Sequence, residues 1–212
     1  MEHFISPNFH STKLDNPTFV DLVDVFEDSW RGFVFGPALA LLNLSSGDVA
    51  AMTLVSSYFE AIWIYQTGED SDHRSQEFFV NGFKRCFTSK DDGIEIAASA
   101  IYKHIRCGLA HTGMLSRKVN FSREGAKAFY LTYPKNKDGS LNIKGNLASI
   151  VVNPKRMYDG ALTHFDSYVA ALRSSEDADL CKNFNVAIDL LWGIGEGENI
   201  IGTTEEQFRS GA

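Results

Sequence analysis

An arginine and a histidine, Arg106 and His111, stand with four residues between them in the stretch YKHIRCGLAHTGM, residues 102–114. Brought together, such a pair suits the cleavage of a phosphodiester beside a ribose 2′-hydroxyl. Histidine titrates near neutrality, so it can take the hydroxyl proton or deliver one to the leaving oxygen. Arginine offers paired donors to the phosphate as charge grows in the transition state. This chemistry needs no metal and no cofactor. On a regular helix a spacing of five turns two side chains about 140° apart, so the pair shares a face only loosely. Gly108 and Gly113 loosen the end of the segment, which lets the two converge. His104, seven residues before His111, lies on nearly the same stripe. The competing reading is architectural: His111 bonded within a polar pocket, and Arg106 paired with a carboxylate. Glu60, set among apolar residues in SYFEAIWIY, is the first choice for that partner, because a buried carboxylate needs one.

The elements that must position these residues are legible as patterns. Residues 1–45 are punctuated by Pro7, Pro17 and Pro37 and read as a lead-in packed on the main body, with one helix over 17–30 capped by Asn16. From residue 46, Val49, Met52, Val55, Phe59, Ile62 and Trp63 recur at helical spacing, with Gly68 as the stop. Residues 75–87 repeat the pattern with Phe78, Phe79, Phe83 and Phe87. A third helix, capped by Asp91 or Asp92, carries Ile94, Ala97, Ala98, Ile101, Ile105 and Leu109 at threes and fours and ends in the Arg106–His111 segment. The period then changes. KVNFS, AFYLTYP and ASIVVNP are short, β-branched or aromatic, and NKDGS between the last two is a turn sequence, so residues 117–154 read as an inserted antiparallel β-hairpin of two or three strands. Helical pattern returns after Pro154 and runs to residue 192; 193–212 is Gly-rich, acidic and reads as a flexible tail. The expected fold is mainly α: a bundle of four to five helices with a small β insertion.

Composition narrows the classes of function. The chain has 212 residues, 44% of them hydrophobic and 22% charged, which suits one domain and excludes disorder. The net charge of −7 argues against a surface devoted to nucleic acid. Yet residues 102–127 hold six basic residues against one acid, Glu124, and Lys103, Arg117 and Lys118 are the candidates there for holding a polyanion. MEHFISPNFHSTKLD lacks the pattern of a signal peptide, and the longest apolar stretch, residues 33–42, is about half of a membrane span. No membrane association is expected. Three cysteines, Cys86, Cys107 and Cys181, fit neither a disulfide framework nor a zinc site and point to a reducing cytoplasm.

Other motifs are weaker. GIGEGE at 193–198 imitates a phosphate loop but lacks a preceding strand and a lysine, so it reads as a helix end. Glu69, Asp70, Asp72 and His73 in GEDSDH lack the spacing of a calcium loop and read as a solvated turn. Cys86 and Cys181 read as small core residues, and Cys107 alone has cationic neighbours.

The run Arg106-Cys-Gly-Leu-Ala-His111 at a helix end resembles the R-x(4–6)-H signature of the HEPN superfamily of helical domains. SYFEAIWIY, FFVNGFKRCF and VVNPKRMYDGALTHFDSYV are similar to stretches of uncharacterised bacterial HEPN-like proteins with an RCGL-x-H core, and the likeness covers roughly residues 46–192. The resemblance implies a homodimer in which two signature helices build one metal-independent endoribonuclease site. Arg106 then stabilises the phosphate and His111 is the general acid and base, with Glu60, His104 and Cys107 in supporting positions. It also implies RNA or a nucleotide as ligand, and an antitoxin-like protein as a possible class of partner. The family commonly has Asn, Asp or His after the arginine; here Cys107 stands there. Some members bind nucleotides, RNA or proteins without cutting, which is the alternative the resemblance carries.

Overall fold

The computed structural model describes residues 4–88, 93–108, 115–193 and 205–210. Helix α1 (Phe19–Ser29) opens on a reciprocal cap: Asp21 N–H donates to Thr18 Oγ1, and the Asp21 carboxylate accepts from Thr18 N–H. The cap is thus Thr18 rather than Asn16, because only Thr18 has an acid three residues on. The helical run does not stop at residue 30. It widens to a π-helical register over Trp30–Phe35, where Gly36 N–H bonds to the Arg31 carbonyl, and continues as α2 (Gly36–Leu42) with Pro37 in its first turn. Phe26 and Phe35 from this region are buried in the core.

Helix α3 (Asp48–Thr67) is the central element. Ala51, Met52, Val55, Tyr58, Phe59 and Ile62 are fully buried, while Val49 in the first turn is exposed. Gly68 ends it in the left-handed conformation, φ 69°. Helix α4 (Ser75–Cys86) packs against it, burying Phe78, Phe79 and Phe83. The approach is close enough that a Cβ on Gly82 would overlap the Phe59 carbonyl oxygen. Phe26, Phe35, Tyr58 and Phe165 form a chain of tilted and edge-to-face ring contacts through the middle of the molecule.

Helix α5 (Gly93–Ile101) buries Ala97, Ala98 and Ile101. Its expected caps, Asp91 and Asp92, lie outside the described residues. At Tyr102–Arg106 the helix widens to the π register, with Cys107 N–H bonded to the Tyr102 carbonyl five residues back.

The insertion is a three-stranded sheet: β1 (Val119–Phe121), β2 (Phe129–Thr132) and β3 (Ser149–Val152), in the order β1-β3-β2. β2 and β3 are the antiparallel hairpin, but β1 pairs with β3 in parallel. The sheet is therefore mixed rather than wholly antiparallel. Alternation in a sequence assigns faces to strands and leaves their neighbours open, and here β3 inserts between β1 and β2. Val119, Ile150 and Val152 face the helices and are buried. Arg123 binds the Asp48 carboxylate and the Leu44 carbonyl, and Asn153 donates to the carbonyls of Arg123 and Gly125 while capping the next helix through Arg156 N–H. These contacts dock the insertion on the bundle.

Helices α6 (Pro154–Ser174) and α7 (Ala178–Trp192) complete the body. The segment expected to be a wholly flexible tail contains a short helix, α8 (Glu205–Ser210), within which Ser210 Oγ bonds to the Gln207 carbonyl. The architecture is mainly α with a small β insert. Among the described residues no helix is long and apolar enough to cross a membrane.

Candidate anion-binding site at the end of α5

The π-helical turn places the sequence-predicted residues on two sides of one helix end. Toward α3, an Arg106 Nη2 donates to Glu60 Oε2 at 3.1 Å, and Ser71 Oγ donates to Glu60 Oε1 at 3.1 Å. The Glu60 side chain is 13% exposed and that of Arg106 is 33% exposed. Both oxygens of a nearly buried carboxylate are therefore occupied, while the guanidinium keeps donors directed elsewhere. The pairing expected for Glu60 is present. Ser71, from the loop after α3, is a member that the sequence does not announce, because it reaches Glu60 only through the fold of that loop.

Tyr102 joins this side. Its ring packs edge-to-face on Phe79 at 5.3 Å, and its electrostatic neighbours are Cys107, Arg106 and Glu60. Burial, followed by the adjacent Cys107 thiol, raises the phenol's pKa. A five-residue closure in place of a four-residue one bonds Cys107 N–H to the Tyr102 carbonyl, and the Cys107 side chain interacts with the Tyr102 phenol. No periodicity count would have selected Tyr102, since the widened turn is a tertiary adaptation.

Toward the insertion, the neighbours of His104 are Lys103 and Lys118. Burial, then these two ammonium groups, lower its pKa below that of an ordinary histidine. Lys118 Nζ approaches the Leu147 carbonyl at 3.5 Å, and among the described residues no carboxylate pairs with Lys103, Arg117 or Lys118. Arg123, from the same basic stretch, is consumed by Asp48. The structure thus assembles Arg106, Glu60, Tyr102 and Cys107 on one side and Lys103, His104 and Lys118 on the other. His111 lies outside the described residues, as do Gly113 and Leu109.

The remaining candidates go elsewhere. Arg74 ties Glu69 to Glu77, and the Asp70 carboxylate accepts from Asp72 N–H, so the GEDSDH loop is a solvated turn held by one arginine. Burial pushes the Cys86 thiol pKa far up, which leaves it a core residue. GIGEGE beyond Gly193 is outside the described residues. A histidine that sequence reasoning passed over, His164 on α6, is held at both nitrogens, by Tyr58 Oη at Nδ1 (2.8 Å) and by the Gln66 amide at Nε2 (3.3 Å). Burial, then Arg85, lower its pKa to about 4.

The chemistry available at the end of α5 is anion recognition by an arginine, one-third exposed, that an acid orients, beside a second group of cations that have no carboxylate partner among the described residues. No family model, no curated protein and no solved structure matches the chain.

Proposed function

We propose that the chain is a HEPN-like, metal-independent endoribonuclease acting as a homodimer on single-stranded RNA. The observation that carries this reading is the Glu60–Arg106 pair at a π-helical turn. A carboxylate held by Ser71 fixes the guanidinium at the surface, and widened turns recur at functional sites. In this reading Arg106 holds the scissile phosphate and His111 moves the protons. The ribose 2′-oxygen forms a bond to phosphorus, the bond to the 5′-oxygen breaks, and the proton lost from the 2′-hydroxyl is matched by one delivered to the leaving 5′-oxygen. The product is a 2′,3′-cyclic phosphate. Lys103, Arg117 and Lys118 hold the flanking backbone.

A second reading is favoured by the same contact: the pair ties α5 to α3 in a non-catalytic HEPN-like module that binds a nucleotide, RNA or a protein such as an antitoxin. The two separate in one experiment. Purified protein in EDTA is given a mixed single-stranded RNA pool beside DNA of the same sequences. The nuclease reading expects RNA cut to cyclic-phosphate ends and DNA intact. His111→Ala and Arg106→Ala should each lower the rate by roughly 10²–10⁴. RNA left intact by the wild type assigns the pair to architecture.

A further inference from the structure

Among the described residues, the sheet order β1-β3-β2 gives one edge of β2 no neighbouring strand. The ladder shows which groups that edge presents. Asn153 N–H donates to the Ala128 carbonyl, and the antiparallel register pairs Tyr130 with Val151 and Thr132 with Ser149. Hydrogen bonding alternates along an antiparallel strand, so Ala128, Tyr130 and Thr132 turn their backbone groups to β3. Ile150 N–H donates to the Lys118 carbonyl and the Val152 carbonyl accepts from Ser122 N–H, at the two ends of β1, which confirms the phase. Phe129 and Leu131 therefore turn their N–H and C=O groups outward. Among the described residues nothing bonds to them.

Beside this edge runs a groove of about 630 Å³, walled by Cys86 and Phe87 from the end of α4, Ile94 from the start of α5, and Phe129 and Leu131 from β2. Its lining is largely apolar and includes Lys127, an exposed lysine with no carboxylate partner among the described residues. Lys127 belongs to an insertion in which residues 117–152 hold seven lysines and arginines against two acids, on a chain of net charge −7. Unpaired strand edges are templates for another strand and are ordinarily blunted by proline, by bulges or by a covering element. β2 has no proline, and among the described residues no strand or helix covers its outer edge.

We infer that β2 is a docking edge for an extended segment of a separate protein, added as a fourth strand in the order β1-β3-β2-peptide. Main-chain bonds to Phe129 and Leu131 supply register, alternate apolar side chains enter the groove, and acidic residues on the segment meet Lys127. The charge of the insertion selects an acidic segment, and the length of β2 selects one of about four to six residues. This surface is independent of the Arg106 chemistry.

The test uses a synthetic seven-residue peptide alternating valine with glutamate and threonine, added to the full chain and read by calorimetry and amide hydrogen exchange. In the free protein the Phe129 and Leu131 amides should exchange faster than those of Tyr130 and Thr132. The peptide should slow the first pair selectively. Methylating the alternate peptide nitrogens that face β2 should abolish binding, whereas methylating the other set should not. Lys127→Glu should weaken binding roughly threefold to tenfold, with the loss shrinking in salt. Leu131→Pro removes one outward N–H at an edge position that tolerates proline, and should weaken binding while far-ultraviolet circular dichroism stays unchanged. Absence of binding at about 1 mM peptide, or equal binding of both methylated forms, overturns the proposal. Slow exchange at Phe129 and Leu131 that depends on protein concentration also overturns it, because a second copy then fills the edge.

Discussion

Glu60 and Arg106, 46 residues apart in the chain, meet at 3.1 Å between the middle of α3 and the end of α5, with Ser71 on the other carboxylate oxygen. The pair sets a carboxylate that is nearly out of solvent against a guanidinium that is still a third exposed. Removing either partner has unequal consequences. Arg106→Ala leaves a nearly buried carboxylate with one partner and should cost about 1–3 kcal/mol. Glu60→Gln keeps the volume and a weaker acceptor and should cost about 1 kcal/mol. A double-mutant cycle by urea denaturation, with Arg106→Ala, Glu60→Gln and both together, measures the coupling; a value near zero shows the pair to be incidental.

His164 makes stability depend on pH. Its pKa in the folded protein is about 4, against 6.5 for an ordinary histidine, because burial and Arg85 oppose protonation. The unfolded chain then binds more protons at this position, so the contribution is complete above pH 6.5 and declines as pH falls toward 4. Discounted for partial exposure, it amounts to about 2 kcal/mol. Urea midpoints between pH 7.5 and about 4 should fall more steeply for the wild type than for His164→Gln; parallel curves would remove His164 as the cause.

Asn153 is 4% exposed and uses its whole amide, donating to the Arg123 and Gly125 carbonyls and accepting from Arg156 N–H. Asn153→Ala leaves two carbonyls and a helix N-terminus unpartnered and should cost about 2–4 kcal/mol, visible as a lowered melting temperature. Because the lost contacts join the insertion to the bundle, exchange protection of β2 and β3 should fall more than that of α3. Equal loss in both regions would contradict that placement.

Gly82 allows α3 and α4 to touch, since any Cβ there meets the Phe59 carbonyl. Gly82→Ala gains about 1 kcal/mol in helix propensity and yet should destabilise by about 1–3 kcal/mol, because overpacking between helices outweighs propensity. Thermal unfolding decides the sign.

A homodimer is expected if two copies of the α5 end build one site. Light scattering at tens of micromolar should return twice the chain mass of 23.6 kDa. A monomer that still cuts RNA would sink the composite site while leaving Arg106 and His111 in play.

Much of the helical layout was legible because burial imposes a 3.6-residue period on any helix that feeds a core. Met52, Phe59, Phe78 and Phe83 announce α3 and α4, Gly68 announces the end of α3, and Pro154 marks the end of β3 and the start of α6. The Glu60–Arg106 contact was also accessible, from the rule that a carboxylate among apolar residues needs a cation. What the tertiary structure alone decided is of another kind. The amino-acid pattern of residues 117–154 specifies strands but is silent on β3 lying between β1 and β2, since pairing depends on long-range packing rather than alternation. The widened turns at Trp30–Phe35 and Tyr102–Arg106 carry no compositional mark, yet in the second one Cys107 N–H bonds back to the Tyr102 carbonyl and Tyr102 has Cys107, Arg106 and Glu60 as electrostatic neighbours. Local sequence fixes which face of an element is apolar; only the packed molecule fixes where that face points, because the rotation and register of each helix answer to neighbours many residues away.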